Sequence, residues 1–329
     1  MKDLAKNFFM HLSENKLLNA GAKRWGLRLG AQSVVAGTNI EETIESIKKL
    51  NAHGISCTVD NLGEFVYVKE EATAAKEQIL KLIESIHEEG VDAHLSVKPS
   101  QLGLDIDRNF CYENLKEIVD RAATYDIFVN FDMENYERLQ PSFDIIDKLN
   151  QSYDNIGTVI QAYFFRAKDD LEKYKDMRLR IVKGAYKESP EVAYQDKKEI
   201  DRNFIDLIEW HLLHGKFTSI ATHDHHVINH VKRFVAENDI SRDKFEFQML
   251  YGFREDMQFE LAKEGYNFCT YVPFGEDWYG YFMRRLAERP ENINLVFKQV
   301  FNKKTNTILG VAAGAFILGR LSKRRYKDL

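Results

Sequence analysis

The sequence predicts a (β/α)8 barrel of parallel strands, and three observations predict it. A charged amphipathic helix ending in glycine runs into an apolar stretch three times, in "KKLNAHGISCTVDN", "ESIHEEGVDAHLSVKP" and "ELAKEGYNFCTYVPFG". Gly54, Gly90 and Gly265 stand where a helix C-terminus needs a left-handed residue, and each run after them reads as a buried strand. Eight such runs can be marked, with periodic helical stretches between nearly all of them. The chain has 329 residues, which suits one large α/β barrel. A doubly wound open sheet is the competitor, but no GxGxxG follows the first strand.

The elements follow in order. Residues 1–54 read as a helical arm, with Thr38 or Asn39 capping the run "EETIESIKKL". The barrel is expected over 55–304. Its strands lie near 55–60, 93–98, 127–132, 158–163, 178–183, 218–222, 245–250 and 267–272. Helical periodicity covers 74–88, 113–125, 201–214 and 227–238 between them. The tail, 305–329, differs. An apolar stretch at 308–318 is followed by Arg320, Lys323, Arg324, Arg325 and Lys327. That stretch is shorter than the ~20 residues of a spanning helix. It carries Gly310-x-x-x-Gly314, a close-approach pattern.

Bulk numbers bound the function. Hydrophobic residues are 44% and charged residues 29%, which reads as a soluble globular chain. A chain of this size buries roughly three quarters of its unfolded surface. The net charge of −5 argues against a nucleic-acid partner. Cys57, Cys111 and Cys269 are widely spaced and odd in number, so neither a disulfide framework nor a zinc ribbon is expected. That usage points to a reducing, cytoplasmic compartment. The N-terminus "MKDLAKNFFMHLSENK" has no apolar core or cleavage site of a secretory signal.

In such a barrel the chemistry sits at the C-terminal ends of the strands. The second strand ends in Lys98 and the third in Asp132. The fourth carries Gln161, and Arg180 and Lys183 bracket the fifth, which runs into Gly184 and Ala185. The sixth ends in Thr222-His223-Asp224; the seventh offers Gln248 and Leu250, and the eighth Tyr271. Each has a plain structural reading. Lys98 and Asp132 can pair as a structural ion couple, and Gln161 can be a satisfied core amide. "KGA" can be a turn, or a place where backbone approaches a pyrophosphate with lysine supplying charge. His223, Asp224 and His226 of "THDHH" resemble metal ligands, but neighbouring residues on a strand point to opposite faces and no HxH or HExxH accompanies them, so no metal is expected.

The helix after the eighth strand, "YFMRRLAERP", places Tyr281, Arg284, Arg285 and Glu288 on one face. Facing water, the stripe is an ordinary charged surface with an i,i+4 pair worth a few tenths of a kcal/mol. Facing the barrel mouth, the two guanidiniums present planar forks to one carboxylate, with Tyr281 as a wall and Glu288 offsetting part of the charge. Spacing alone leaves both readings open.

"RIVKGAY" together with "YVPFG…WYGYFMRRLAERPEN" resembles proline dehydrogenase, a flavin enzyme family; "LSVKPSQLG", "VNFDME", "IQAY", "ATHD" and "QMLYG" support the likeness in the family's order over residues 55–292. The resemblance implies a distorted (β/α)8 barrel whose last helix sits over the mouth. It implies oxidation of L-proline to Δ1-pyrroline-5-carboxylate with FAD as hydride acceptor. Arg284 and Arg285 would bind the substrate carboxylate. Lys98 would contact the same substrate end and pair with Asp132. Tyr271, Tyr281 and Leu250 would pack around the pyrrolidine ring. Arg180 would lie near the reactive flavin nitrogen, and Met133 and Gln161 would touch the flavin. Lys183, Gly184 and Ala185 would meet the phosphate and ribose region of FAD. Thr222, His223, Gln248 and Glu288 would also serve FAD. Asp132 and Arg180 are the catalytic expectations.

Further expectations attach to this likeness. Tyr281 would crowd a 4-hydroxyl, so proline is favoured over hydroxyproline. No aldehyde dehydrogenase domain follows the Arg-Arg helix, so a separate pyrroline-5-carboxylate dehydrogenase is expected downstream. The tail would dock on the inner face of an anionic membrane, apolar side in and basic residues at the headgroups, so that electrons can pass to quinone. The alternative for the tail is a helix packed on the protein itself. Kept beside the flavin reading are another flavin-dependent amine dehydrogenase, a metal-dependent hydrolase using His223, Asp224 and His226, and a scaffold with no catalytic role.

Overall fold

The structure, a computed structural model, describes residues 33–288, the last five of them by backbone alone. The described residues fall in two compact units: Val34–Trp278, and one to which Ser33 and residues 279–288 belong. In the first unit eight parallel strands close into a barrel in chain order. They are β1 Ser56–Asn61, β2 Ala93–Val97, β3 Val129–Phe131, β4 Ile156–Gln161, β5 Arg178–Val182, β6 Phe217–Ala221, β7 Phe245–Leu250 and β8 Phe268–Phe274. The helices are α1 Ile40–Asn51, α2 Lys69–Glu88, α3 Arg108–Thr124, α4 Tyr136–Leu149, α5 Ala167–Lys173, α6 Lys197–His214, α7 His225–Glu237, α8 Glu255–Lys263 and α9 Trp278–Glu288. The expected barrel is therefore the observed one. The tail, 305–329, lies outside the described residues.

The helices begin earlier than apolar periodicity suggests, because their first turns are polar and are started by caps. Asp107 accepts from the Phe110 N–H at 2.7 Å, Asp196 from Lys198 at 2.6 Å and Asp224 from His226 at 2.9 Å. Asn39 caps α1 through the Glu42 N–H at 2.9 Å, while Glu42 reaches back to the Thr38 N–H. Gly54, Gly90 and Gly265 follow α1, α2 and α8 with φ of 72°, 60° and 81°, the left-handed geometry their positions demand.

Two strands differ in extent from expectation. The fourth was expected over 158–163; β4 starts two residues earlier and ends at Gln161, where the chain turns and the Phe164 N–H bonds the Gln161 carbonyl. The eighth was expected to stop before Pro273. Instead β8 runs to Phe274, with Pro273 opposite Asp60 and its carbonyl accepting from the Ala36 N–H at 3.0 Å. Proline has no N–H to donate, and its carbonyl is satisfied by Ala36, outside the barrel strands. Tyr271 thus lies in the middle of β8 rather than at its end.

Arg180 on β5 donates to Thr58 on β1 and Ser96 on β2, strands that it can reach only through the barrel interior. This fixes which face of each strand looks inward. Thr58, Asp60, Ser96, Asn130 and Arg180 face the axis, and Cys57, Val59, Leu95, Val97, Val129, Phe131 and Ile181 face the helices. The outward set is fully buried, each large side chain worth about 1.5–3 kcal/mol. The inward set is polar, where barrels of this kind usually hold branched aliphatics. Near the N-terminal end of β5, Arg178 lies 4.7 Å and 4.6 Å from the Phe128 and Phe217 ring centroids and bonds Glu246 at 2.6 Å. A dry interior tolerates such groups only when they are bonded. His94 departs from this: its Nε2 is buried and has no hydrogen-bond partner among the described residues. Burial, with Arg178 and Arg180 adding to it, holds the His94 pKa well below the usual imidazole range, so the ring is neutral.

Candidate active site

At the C-terminal end of the barrel five polar side chains from five strands meet. Asp60 comes from β1, Lys98 from just past β2, Asp132 from just past β3, Arg180 from β5 and Tyr271 from β8. Asp132 is the hub. One of its oxygens accepts from Arg180 Nη1 at 2.6 Å and from Asn130 at 3.1 Å; the other accepts from the Tyr271 hydroxyl at 2.8 Å. Arg180 completes its fork with Ser96 at 2.9 Å and Thr58 at 3.1 Å, and lies 5.3 Å from the Tyr271 ring centroid. The guanidinium is thereby locked on three sides, as a bidentate donor can be and a lysine cannot.

Lys98 makes its expected ion pair with Asp132 and a closer one with Asp60. Its ammonium bonds Asp60 at 2.6 Å and the Tyr271 hydroxyl at 3.3 Å, and stands 3.8 Å from Asp132. Asp132 is turned toward Arg180 and Tyr271, so Asp60 is the closer partner. The two cations and two anions balance, and all four residues are buried. Burial opposes the Lys98 charge, but Asp60 and Asp132 outweigh it and raise the pKa above the usual ammonium value. Burial first, then Asp132 and Asp60, push the Tyr271 phenol well above its ordinary range, so it stays protonated as a donor.

The other expected residues are placed as follows. Met133 is buried beside the cluster in sequence, and Gln161 donates to the Glu134 carbonyl at 2.9 Å. Gln248 points toward the barrel floor and donates to Glu246 at 2.5 Å. Lys183 bonds Asp201 at 2.5 Å, and both line a cavity of about 780 Å³ with Asp224, His226, His230 and Arg233. Gly184 has φ of 111°, and a Cβ there would sit 2.4 Å from the Tyr163 ring; Ala185 follows it, exposed. Thr222 accepts from the Asp224 N–H at 3.1 Å, and His223 accepts from the Leu250 N–H at 3.5 Å, tying the ends of β6 and β7 together. Tyr281 lies on α9 in the second unit. The side chains of Arg284, Arg285 and Glu288, on the same helix, lie outside the described residues.

Sequence reasoning missed two carboxylates. Asp60 is one. Glu134 is the other: it accepts from the Ser100 N–H at 3.1 Å and also bonds the Ser100 hydroxyl. Burial pushes its pKa up to about 7. Both stand in phrases that had been marked, "CTVDN" and "FDME", but neither carries a local signal that it faces inward. The metal alternative is regrouped. The side chains that converge are Asp224, His225 and His226, His225 and His226 being exposed, whereas His223 faces the Leu250 N–H.

A parallel barrel with a charge-balanced polar cluster at the C-terminal ends of its strands defines a barrel enzyme. Comparison with known proteins narrows the class. Residues 43–296 match the proline dehydrogenase family, and the chain belongs to that family. It is 44% identical over 302 residues to proline dehydrogenase 2 of Bacillus subtilis, covering 91% of this chain and 100% of that protein. It is 40% identical over 284 residues to proline dehydrogenase of Deinococcus radiodurans, covering 84% and 91%. The bifunctional protein PutA of Escherichia coli is 26% identical over 82% of this chain and 24% of its own length. A crystal structure of PutA from Bdellovibrio bacteriovorus, inactivated by N-propargylglycine, superposes with a TM-score of 0.75 at 23% identity, over 86% of this chain and 35% of that one, and shares its fold. The family's activity is oxidation of proline, the first step of proline catabolism, and the family is flavin-dependent in general. Membership sets aside the hydrolase and scaffold readings.

Proposed function

We propose that this chain oxidises L-proline to Δ1-pyrroline-5-carboxylate over the Asp60–Lys98–Asp132–Arg180–Tyr271 cluster, with FAD bound beside it. The observation that carries the proposal is the Arg180 Nε: it is buried and has no hydrogen-bond partner among the described residues, although both Nη atoms are engaged. A locked guanidinium with one N–H to spare suits a ligand atom that gains electron density. The cavity lined by Lys183 and Arg233 and the close packing of Gly184 on Tyr163 suit a nucleotide's phosphates. Lys183, Gly184, Ala185, Thr222 and His223 would hold FAD at that end, Met133 and Gln161 would touch the flavin, and Glu288 would also serve FAD; Gln248, turned to Glu246 at the floor, is left out of the set.

The reaction removes a hydride from the ring carbon beside nitrogen and a proton from nitrogen. No side chain accepts a hydride, and FAD supplies that acceptor when bound. The protein's part is orientation and charge. Lys98, with Arg284 and Arg285, would hold the substrate carboxylate. Tyr271, Leu250 and Tyr281 would confine the ring, with Tyr271 kept fixed by its bond to Asp132.

Quinone as electron acceptor and a separate pyrroline-5-carboxylate dehydrogenase as consumer of the product are part of this reading through the likeness to the B. subtilis proline dehydrogenases. No helix among the described residues is long and apolar enough to cross a membrane. A cytoplasmic protein touching the membrane's inner face through 305–329 rests on the apolar and basic pattern of that tail.

Turnover with a soluble dye as acceptor, with the imine product trapped by an aromatic amino-aldehyde, tests the reading. L-Proline is expected to give the trapped product. Its absence would overturn the activity, and an equal rate with 4-hydroxyproline would overturn the role given to Tyr281.

A further inference from the structure

Asp60 has no task in the mechanism so far. Its side chain is 2% exposed, and its carboxylate lies 2.6 Å from the Lys98 ammonium. Its backbone is held on both sides, since β1 pairs there with Ser96 of β2 and Pro273 of β8. Lys98 is the opposite kind of group. It leaves β2 at the start of a 3-10 turn, Pro99–Leu102, on a flexible four-carbon stem. Asp132 holds it less firmly: the nearer Asp132 oxygen is 3.8 Å from the ammonium and already accepts from Tyr271 at 2.8 Å. We propose that Asp60 is the positioning residue of the substrate-carboxylate subsite: anchored in the sheet, it keeps the Lys98 ammonium aimed at the mouth and off Asp132. This rests on the reading of Lys98 as a contact of the substrate carboxylate.

Without Asp60, the Lys98 ammonium would swing the remaining distance onto Asp132 and compete with Arg180 and Tyr271. Substrate binding should suffer first, because the group lost is the nearest partner of Lys98. Asp60→Asn keeps the shape and removes the charge. It should raise KM for L-proline about tenfold, with kcat changed by less than about threefold. Lys98→Met should raise KM as well. In the double variant KM should equal that of Lys98→Met, because Asp60 has nothing left to position.

Thermal melting gives a readout that needs no turnover. Lys98→Met leaves a buried carboxylate without its cation, so it should melt below the parent protein. Adding Asp60→Asn should restore part of the loss. Asp60→Ser offers a second route should the asparagine variant fail to fold. A KM unchanged by Asp60→Asn, or effects of the two substitutions that multiply fully, would overturn the proposal. A KM unchanged by Lys98→Met alone would instead overturn the substrate reading of Lys98, and the proposal with it.

Discussion

Arg180 shows how much a single residue can be made to do by its surroundings. Two of its guanidinium nitrogens are tied to Asp132, Ser96 and Thr58, and its position on β5 sets it across the barrel from β1. Arg180→Lys cannot make these bonds together. Steady-state kinetics should show kcat reduced by about 100-fold, whereas a fall of less than threefold would deny Arg180 its role. Glu134 makes a different prediction. Its folded pKa of about 7 lies above the ordinary 4.5, so the folded state binds its proton more tightly. The stability this gives is present below the unfolded value and is lost as pH rises toward 7. Between pH 4.5 and 7.5 the parent protein should lose about 2–3 kcal/mol relative to Glu134→Gln. Denaturant melts of the two proteins at several pH values check this, and parallel pH curves would contradict it. Residues of this kind were only partly legible in the sequence. Lys98, Asp132 and Tyr271 could be found as polar groups interrupting apolar runs. Asp60 ends the first expected strand as Asp132 ends the third, but nothing near it in sequence names Lys98, 38 residues on, as its partner; the pairing of β1 with β2 brings them together.

At the scale of elements, strands were legible because their outward faces are apolar, as Val59, Leu95, Val97 and Ile181 illustrate. Helix starts were less so, since periodicity begins where the apolar stripe begins, and caps such as Asp107 and Asp196 act a turn earlier. The turn after β5 shows sequence and packing acting together. Lys183 is tied to Asp201 on α6, while Gly184 adopts φ of 111° against Tyr163. Gly184→Ala meets both a rare backbone conformation and a ring 2.4 Å away. It should cost about 1–3 kcal/mol and weaken retention of flavin through purification. Melting curves and the flavin-to-protein absorbance ratio measure the two effects, and a variant matching the parent in both would remove Gly184 from the site.

The whole molecule combines an apolar shell between strands and helices with a polar axis inside the strands. The shell supplies stability by burial. The axis, from Arg178 and Glu246 at the floor to Lys98 and Asp132 at the mouth, fixes side chains in a dry setting where charge interactions are strong. The composition, 44% hydrophobic and 29% charged, carries no trace of this division, which depends on alternation along each strand. The tail adds one prediction at this scale. Deleting 307–329 should abolish co-sedimentation with anionic liposomes and leave turnover with a soluble dye unchanged; unchanged sedimentation would exclude the membrane role.

The most direct test of the whole account is an anaerobic visible spectrum of the purified protein before and after L-proline is added. A flavin band that bleaches with proline is the predicted result, since the bound cofactor then accepts the substrate's hydride. A flavin band that persists through proline, or a protein that neither carries nor takes up FAD, would contradict it.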